Sequence, residues 1–299
     1  MEKVIVVIGP TSVGKTKMGV ALAKKFNGEV ISGDSMQIYK QMDIGTAKVT
    51  EEEKEGIIHH CVDILNPDET YSVHDFQQTV RKKITEITQR GHVPIIVGGT
   101  GLYIKAALYD YQFDEMKNDH HAINEKYKDY TNEQLHDHLK SIDEESAKIL
   151  HFNNRRRVLR AIEIYETTGK RKSEMLEEQE HICLYDAYFV GLTLPRDVLY
   201  ERINKRVDVM MENGLKEEME RLYSQGLTRN HQSMKAIGYK EWFDYYDHQI
   251  DLNDVLELIK KHSRQYAKRQ YTWFKNQFDV HWYDVNLENF EQTIEQVTD

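Results

Sequence analysis

Residues 9–16 form a glycine-rich segment whose spacing suits phosphate binding. Gly9 and Gly14 are followed by Lys15 and Thr16, so the segment matches G-x-x-x-x-G-K-[ST] at every fixed position. In this pattern successive backbone N–H groups point at one anion, the lysine adds positive charge, and the threonine hydroxyl can bind magnesium. The motif predicts a polyphosphate site, although a tight strand-to-helix turn is the alternative.

Two further segments offer polar groups to the same ligand. Asp34 follows the second predicted strand, where its carboxylate could be a general base, a magnesium ligand or a helix N-cap. Thr100 lies in a second glycine turn, Gly98 to Gly101, and could bind the same anion through its hydroxyl and N–H. A turn that binds no ligand explains this second signal equally well.

Basic residues form three groups that could bind phosphate. Arg202 and Arg206 are four residues apart and share a helix face, which is either a solvated surface or a clamp on a leaving phosphate. Residues 258–278 contain six Lys/Arg and no Asp or Glu, with aromatic residues that could stack on bases or pack the core. A second cluster contains Arg155–Arg157 and Arg160. The two clusters together favour an RNA-binding surface.

Strands that alternate with helices must position these residues. The predicted strands are Lys3–Ile8, Glu29–Ser32, Val93–Val97 and Ala187–Leu194. The predicted helices are Lys15–Phe26, Tyr71–Arg90, a helical region over Asn132–Leu150, Asn154–Thr168 and a long helix from about Asp197. This order predicts an α/β fold with a parallel, P-loop NTPase-like sheet. We expect a first core part at 1–112, a mostly helical insertion at 113–186, and a second core part at 187–299.

Composition sets the class of protein. The chain of 299 residues has a net charge of −10, which as a global figure speaks against nucleic acid. The basic clusters are therefore local features of an acidic protein. Two cysteines indicate a reducing cytoplasm, and no segment reaches the ~20 apolar residues that span a bilayer. No heptad pattern indicates a coiled coil, and our expectation for the oligomeric state is a monomer.

The glycine and acidic segments belong to an ordered set of motifs. The set comprises Gly9–Thr16, Asp34–Tyr39, Met42–Lys48, Gly98–Tyr103, Arg160–Glu163, Gly214–Leu215 with Glu218, Ala236–Tyr239, and Arg264–Gln270 with Thr272–Trp273. In this order the set resembles the tRNA dimethylallyltransferase family, from about residue 3 to about residue 275. The sequence shows no C-terminal zinc-finger extension, and in this it resembles the shorter bacterial type of the family.

The resemblance implies a reaction and assigns residues to it. A dimethylallyl group would pass from dimethylallyl diphosphate to the exocyclic amine of the adenosine 3′-adjacent to the anticodon of tRNA, with Mg²⁺ as cofactor. Asp34 would accept the amine proton, while Thr100 and Arg206 would support the departing group. The residues implied to bind diphosphate are Gly9, Thr11, Ser12, Val13, Gly14, Lys15 and Thr16, with Thr16 also on the metal.

The resemblance also implies that the insertion at 113–186 and the C-terminal helices of the part at 187–299 contact tRNA, and it places a set of residues against the anticodon stem-loop. They are Asp34, Ser35, Met36, Gln37, Thr100, Arg156, Arg157, Val158, Leu159, Arg160, Ser233, Lys235, Gly238, Tyr239, Arg264, Lys268, Arg269 and Trp273. Many relatives carry a basic or polar residue in place of Met36. The target base must be unstacked to enter the protein, which costs a few kcal/mol.

Two other functions use the same motifs. A small-molecule or nucleotide kinase would bind ATP at the phosphate loop, with Asp34 on magnesium and the insertion as a lid. A non-catalytic RNA-binding protein would keep the basic segments and form no product. The segment rich in arginine and aromatic residues near the C-terminus counts against the kinase.

Overall fold

The computed structural model describes residues 1–111, 120–177 and 181–299. The elements in chain order are β1 (Lys3–Ile8), α1 (Lys15–Phe26), β2 (Gly28–Ser32), α2 (Glu51–Lys54), β3 (His59–His60), α3 (Val73–Gln89), β4 (Val93–Val97), α4 (Gly101–Leu108), α5 (His120–Lys126), α6 (Asn132–Ile142), α7 (Glu144–Ile149), α8 (Arg155–Thr168), α9 (Lys172–Glu177), β5 (Asp186–Thr193), α10 (Arg196–Glu212), α11 (Leu215–Ser224), a short 3-10 helix (Ser233–Lys235), α12 (Trp242–Tyr246), α13 (Leu252–Gln277), β6 (His281–Asp284) and α14 (Phe290–Thr298).

The chain divides into two compact units. The first, here the sheet unit, comprises Met1–Tyr109 and Cys183–Asp299, and the second, the helical unit, comprises Asp110–Ile182. The sequence places the start of the insertion at residue 113, which lies outside the described residues. No helix in the described ranges is long and apolar enough to cross a membrane.

The sheet unit is built on a parallel sheet with strand order β3-β2-β4-β1-β5-β6. The β-branched residues of β1 make it a strand buried on both faces, between β4 and β5. The α/β fold and the strands predicted from sequence are confirmed. The two outer strands β3 and β6 were not predicted, because two and four residues are too few for a hydrophobic period to show.

The polar segments follow neighbouring strands at one edge of this sheet. Val7 of β1 and Ser32 of β2 both pair with Val97 of β4, so these strands end at the same level. The turn after β2 touches the turn after β4, since a Cβ on Gly98 would lie 2.3 Å from the Gly33 carbonyl. Parallel strands thus bring the phosphate loop, the Asp34 segment and the second glycine turn together.

Two long helices of the sheet unit begin where the sequence supplies a cap. Ser72 and Asp75 form a capping box at the start of α3, and Asp251 and Asp254 form another on α13. The predicted helix over Tyr71–Arg90 is confirmed as α3 and buries an apolar stripe against the sheet.

The helical unit has a small core of its own. Leu135 and Leu139 of α6 are buried together with Val158 and Ile162 of α8. The helical region predicted over Asn132–Leu150 is two helices, divided at Asp143. Asp143 ends α6 and caps α7, because its carboxylate accepts a hydrogen bond from the Ser146 N–H at 3.0 Å.

Candidate active site

The phosphate loop joins β1 to α1 in a conformation that needs its glycines. Gly9 has φ +146° and a Cβ there would lie 2.5 Å from the Leu192 carbonyl oxygen, so no side chain fits beside β5. Gly14 has φ +107° and is the N-cap of α1, where no side chain of the described residues caps the helix. Val13 is buried in the core and anchors the loop. The first N–H groups of α1 therefore lie at the floor of a cleft without an intrahelical acceptor.

Two cations face this loop. The Lys15 ammonium donates a hydrogen bond to the Pro10 carbonyl at 2.7 Å. Burial, and then the nearby Arg206 guanidinium, lower the pKa of Lys15 to about 7, while Asp34 opposes the shift. Burial likewise lowers the pKa of Arg206, against the attraction of Glu53 and Asp34. These cations are held where positive charge is costly, so a bound anion would be strongly favoured.

Arg202, the other arginine of the predicted pair, contacts the backbone of the phosphate loop. Arg202 is exposed, and its Nε donates to the Ser12 carbonyl at 3.0 Å. The Ser12 hydroxyl is buried and has no hydrogen-bond partner among the described residues. Both arginines line the cavity over the phosphate loop, where the exposed Arg202 also braces the loop backbone and Arg206 is half-buried.

Asp34 is half-buried beside these cations. Its Oδ1 accepts a hydrogen bond from the Met36 N–H at 2.8 Å. Burial raises the pKa of Asp34 above its ordinary value, and the Met36 N–H and Lys15 partly offset that effect. A carboxylate with a raised pKa is a stronger base than a solvated one.

The second glycine turn is tied to the Asp34 segment. The Thr100 hydroxyl oxygen accepts from the Ser35 N–H at 3.1 Å and lies 3.3 Å from the Ser35 hydroxyl. Tyr266 of α13 donates its hydroxyl to the Gly99 carbonyl at 3.2 Å. Burial, together with Asp34, raises the pKa of Tyr266 to about 12, so this phenol stays protonated.

Glu218 holds the backbone of residues 43–45, in an arrangement we call the Glu218 clasp. Its buried carboxylate accepts from the backbone N–H groups of Asp43, Ile44 and Gly45 at 2.9, 2.8 and 3.0 Å. The Tyr239 hydroxyl donates to the same carboxylate at 2.6 Å. The clasp joins three of the stretches that carry the family resemblance.

The clasp holds the segment that Gln37 also contacts. The Gln37 amide accepts from the Ser32 hydroxyl at 2.9 Å and donates to the Thr46 and Ala47 carbonyls at 3.4 and 3.3 Å. Gln37 thus connects the end of β2 to the clasped segment.

Two cavities of the sheet unit meet at Asp34. A cavity of about 570 Å³ lies over the phosphate loop and includes Lys15, Thr16 and Arg206 in its wall. A second cavity of about 260 Å³ has one polar part and one apolar part to its wall. Its apolar lining includes Ile203, Val207, Met210, Ile237 and Ile259. The residues common to both are Thr11, Ser12, Asp34, Thr46, Ala47 and Arg206.

Residues of α13 that were predicted to face tRNA fall into two groups. Lys268 and Arg269 are exposed, and the Arg269 guanidinium lies 5.8 Å from the centre of the Tyr266 ring. Arg264 is half-buried and bonds to the Asn204 side chain. Trp273 packs against Phe278 and fills the space beside Gly101, where a Cβ would lie 2.2 Å from the indole.

The predicted contacts at residues 233–239 are mostly interior. Ser233 is buried and donates its hydroxyl to the Pro67 carbonyl at 2.5 Å. The Gly238 N–H donates to Glu241 at 2.9 Å, and Tyr239 belongs to the clasp. Lys235 is exposed and lines the second cavity.

The helical unit presents part of its predicted set to solvent. Arg156 and Arg157 are exposed at the start of α8, whereas Val158 and Leu159 are buried in the core of that unit. Arg160 donates to Glu163 at 2.8 Å. The side chains of Val158 and Leu159 therefore support the helix that carries the two exposed arginines.

Sequence reasoning assigned no role to Gln270 or Glu218, although both belong to the recognised motifs. Gln270 is buried on the apolar stripe of α13, between Ala267 and Phe274. Its Oε1 accepts from the Thr11 N–H at 2.9 Å and its Nε2 donates to the Gly99 carbonyl at 3.0 Å. A polar residue at an apolar position of a helix is the sequence signal that could have identified Gln270.

The fold and this site define a P-loop-like α/β enzyme. A model of the family described as IPP transferase matches residues 37–277. The tRNA dimethylallyltransferase of Bacillus cereus (strain AH187) is 55% identical over 287 residues, which cover 95% of this chain and 90% of that protein.

Two solved structures are also similar to this chain. The structure of tRNA delta(2)-isopentenylpyrophosphate transferase from Staphylococcus epidermidis is 47% identical, with a TM-score of 0.74 over 100% of this chain and 98% of that chain. A eukaryotic dimethylallyltransferase acting on tRNA is 33% identical, with a TM-score of 0.87 over 100% of this chain and 78% of that chain. The chain belongs to the IPP transferase family.

Proposed function

We propose that this protein transfers a dimethylallyl group from dimethylallyl diphosphate to the exocyclic amine of the adenosine 3′-adjacent to the anticodon of tRNA. The observation that carries the proposal is the position of Asp34 and Arg206 in the wall shared by a phosphate-loop cavity and a second cavity that is partly lined by apolar side chains. A charged leaving group and an apolar chain need such adjoining spaces. The similarity to tRNA dimethylallyltransferases supports this function over a kinase.

The phosphate-loop side suits the leaving group. When the allylic C–O bond breaks, its electron pair stays with diphosphate, whose negative charge grows. The N–H groups at the start of α1, Lys15 and Arg206 are positioned to stabilise that charge. The buried Ser12 hydroxyl is available as a further donor, and Thr100 could add another.

Asp34 suits proton removal. As the adenosine amine nitrogen forms its bond to the allylic carbon, the nitrogen becomes acidic and its proton must leave. Asp34 would take this proton, and its raised pKa makes the carboxylate a better acceptor at neutral pH. The apolar side chains of the second cavity would receive the dimethylallyl chain and keep water from the electron-deficient carbon.

Mg²⁺ would complete the diphosphate site. The Thr16 hydroxyl lines the phosphate-loop cavity, and no group of three or more His, Cys, Asp or Glu in the described part of the chain is arranged to hold a metal. A metal that takes most of its oxygen ligands from substrate phosphates and water fits such a donor set, and this is the usual manner of Mg²⁺. When bound, Mg²⁺ would neutralise charge on the departing diphosphate.

The proposed tRNA-binding residues would act in two ways. The exposed cations Lys268, Arg269, Arg156 and Arg157 would bind phosphates directly. The buried Ser233 and Tyr239 and the half-buried Trp273 would act by holding the backbone that faces tRNA. We also propose a cytoplasmic monomer.

Mass analysis of tRNA nucleosides tests the function. The protein is incubated with unmodified tRNA, dimethylallyl diphosphate and Mg²⁺, and the tRNA is then digested to nucleosides. We expect one adenosine to gain the mass of a dimethylallyl group with loss of one proton, and diphosphate to appear in equal amount. A parallel reaction with ATP measures phosphate release, and ATP hydrolysis without prenylated adenosine would overturn the proposal in favour of a kinase.

A further inference from the structure

Gln270 occupies a position where three parts of the site meet. It lies on α13, with 5% of its surface exposed, and its amide joins the phosphate loop to the second glycine turn. Thr11 and Gly99, the two residues it bonds, follow different strands, so the amide spans the gap between two strand ends. One planar group satisfies a donor on one side and an acceptor on the other.

The spacing around this amide is tight. A Cβ on Gly99 would lie 2.1 Å from Gln270 Nε2, so the glutamine approaches the backbone as closely as a glycine allows. Tyr266, one helical turn earlier, donates to the same Gly99 carbonyl. The second glycine turn is therefore held by two side chains of α13 at one oxygen.

The bond to Thr11 also decides which loop N–H groups can meet a ligand. Since the Thr11 N–H donates to Gln270, it is directed toward α13. This leaves the N–H groups at the start of α1 to face an anion. The orientation of the loop thus depends on an acceptor supplied by a residue 259 positions away in the chain.

We propose that Gln270 is a positioning residue for the diphosphate site, which fixes the phosphate loop relative to the turn that carries Thr100. The proposal rests on the diphosphate-binding role given to the loop in the proposed function. Glutamine is suited to the position because it offers one acceptor and one donor. Glutamate has the same shape but offers two acceptors when ionised, and methionine has a similar length but offers neither strong group.

Two substitutions separate positioning from bulk packing. Gln270→Glu and Gln270→Met are compared with wild type for the affinity of inorganic diphosphate with Mg²⁺ by calorimetry, for KM and kcat with dimethylallyl diphosphate, and for tRNA affinity. We expect diphosphate affinity to fall about ten- to hundred-fold in both, with KM rising in parallel, and tRNA affinity to stay within about two-fold of wild type. Gln277→Met, on the exposed end of the same helix where Gln277 bonds to Lys105, is the matched control and should resemble wild type.

The pH dependence gives a second readout. A protonated glutamic acid offers one donor and one acceptor, as glutamine does, so the deficit of Gln270→Glu against wild type should shrink as the pH falls below about 6. The deficit of Gln270→Met should not change with pH. Thermal unfolding verifies that each variant is folded.

Some results would overturn the proposal. These are folded variants with diphosphate affinity within about two-fold of wild type, or an equal loss of diphosphate and tRNA binding together with a lower Tm. If wild type forms no prenylated adenosine but Gln270→Glu still weakens diphosphate binding, the function fails while the positioning role stands.

Discussion

Two sets of backbone N–H groups flank the site, and they differ in what accepts their hydrogen bonds. In the Glu218 clasp, the N–H groups of residues 43–45 all donate to a buried carboxylate of the protein. At the phosphate loop, α1 begins after Gly14 and no side chain among the described residues caps it. Lys15 and Arg206 lie beside that uncapped end.

The difference shows that backbone N–H groups can either stabilise the fold or bind a ligand, depending on what accepts their hydrogen bonds. Glu218 is an anion built into the fold, and the N–H groups that it satisfies are closed to any ligand. The phosphate loop has the same kind of donors with cations in place of a carboxylate, so an external anion would complete it. An uncapped helix end alone is common: α11 also lacks a side-chain cap. The adjoining cations distinguish the phosphate loop.

The largest effect should come from the ligand-facing side. Asp34→Ala removes the proposed proton acceptor, and we expect prenyl transfer to fall by about 10²–10⁴-fold while tRNA binding is largely preserved. Single-turnover formation of modified adenosine and a tRNA binding assay measure the two quantities. Asp68→Ala, at an exposed acid, is the control. Equal loss of binding and turnover would contradict the assignment of Asp34 as the base.

The clasp should respond through stability. Glu218→Ala leaves three backbone N–H groups and the Tyr239 hydroxyl without their acceptor, so the free energy of unfolding should fall by about 3 kcal/mol. Chemical denaturation measures the change.

A milder variant tests the same region. Tyr239→Phe removes only one donor, and a loss of about 1 kcal/mol is expected with tRNA affinity unchanged. A large loss of tRNA affinity in Tyr239→Phe at wild-type stability would show that this residue belongs to the binding surface and not to the clasp.

The same two regions show what sequence could predict. The phosphate loop is contiguous, so its motif and its place between β1 and α1 were readable from residues 9–16. The clasp brings together residues 43–45, 218 and 239, which no local pattern connects. The family motifs named these stretches without indicating that one carboxylate joins them.

The sequence also could not predict which side chains of these stretches are exposed to solvent. Trp273, Val158 and Leu159 stand in stretches that the resemblance places against tRNA, yet the structure buries Val158 and Leu159 and packs Trp273 beside Gly101. Helical period indicated which residues share a face, as for α3. Which side chain of a basic, aromatic helix meets solvent depends on tertiary contacts that the period does not encode.

The protonation state of Lys15 should change when diphosphate binds. Burial and Arg206 lower the pKa of Lys15 to about 7, and a bound diphosphate should raise it again because an opposite charge favours the ammonium. Above pH 7 the ligand-free lysine is mostly neutral, so binding at about pH 8.5 should take up a fraction approaching one proton. The advantage that Lys15 gives to diphosphate affinity should therefore decline as the pH rises through 7.

Calorimetry in buffers of different ionisation enthalpy counts that proton. Lys15→Met serves as the reference, because it keeps the proton exchange of diphosphate itself and removes that of the lysine. Equal proton uptake in wild type and Lys15→Met would mean that the loop lysine is already charged before the ligand arrives.

The smallest effect is expected on the outer face of α13. Lys268 is exposed, whereas Gln270 on the same helix is buried against the phosphate loop. The helix therefore has a solvent-facing side, which we propose binds tRNA, and a side that contacts the phosphate loop. Lys268→Ala should weaken tRNA binding modestly and reduce the slope of log affinity against log salt by about one. Filter binding over a range of salt concentrations measures the slope, and Lys82→Ala, on an exposed position of α3, is the control.

The diphosphate affinity of Lys268→Ala shows whether the two sides of α13 act separately. If the two sides of α13 act separately, Lys268→Ala should bind inorganic diphosphate as wild type does, because its charge lies outside the cavity walls. A weaker diphosphate affinity would mean that the loop senses charge on the outer face of the helix through long-range attraction, which added salt would screen. In that case the N–H groups at the start of α1 would depend on the whole basic segment, and the contrast with the self-contained Glu218 clasp would be sharper still.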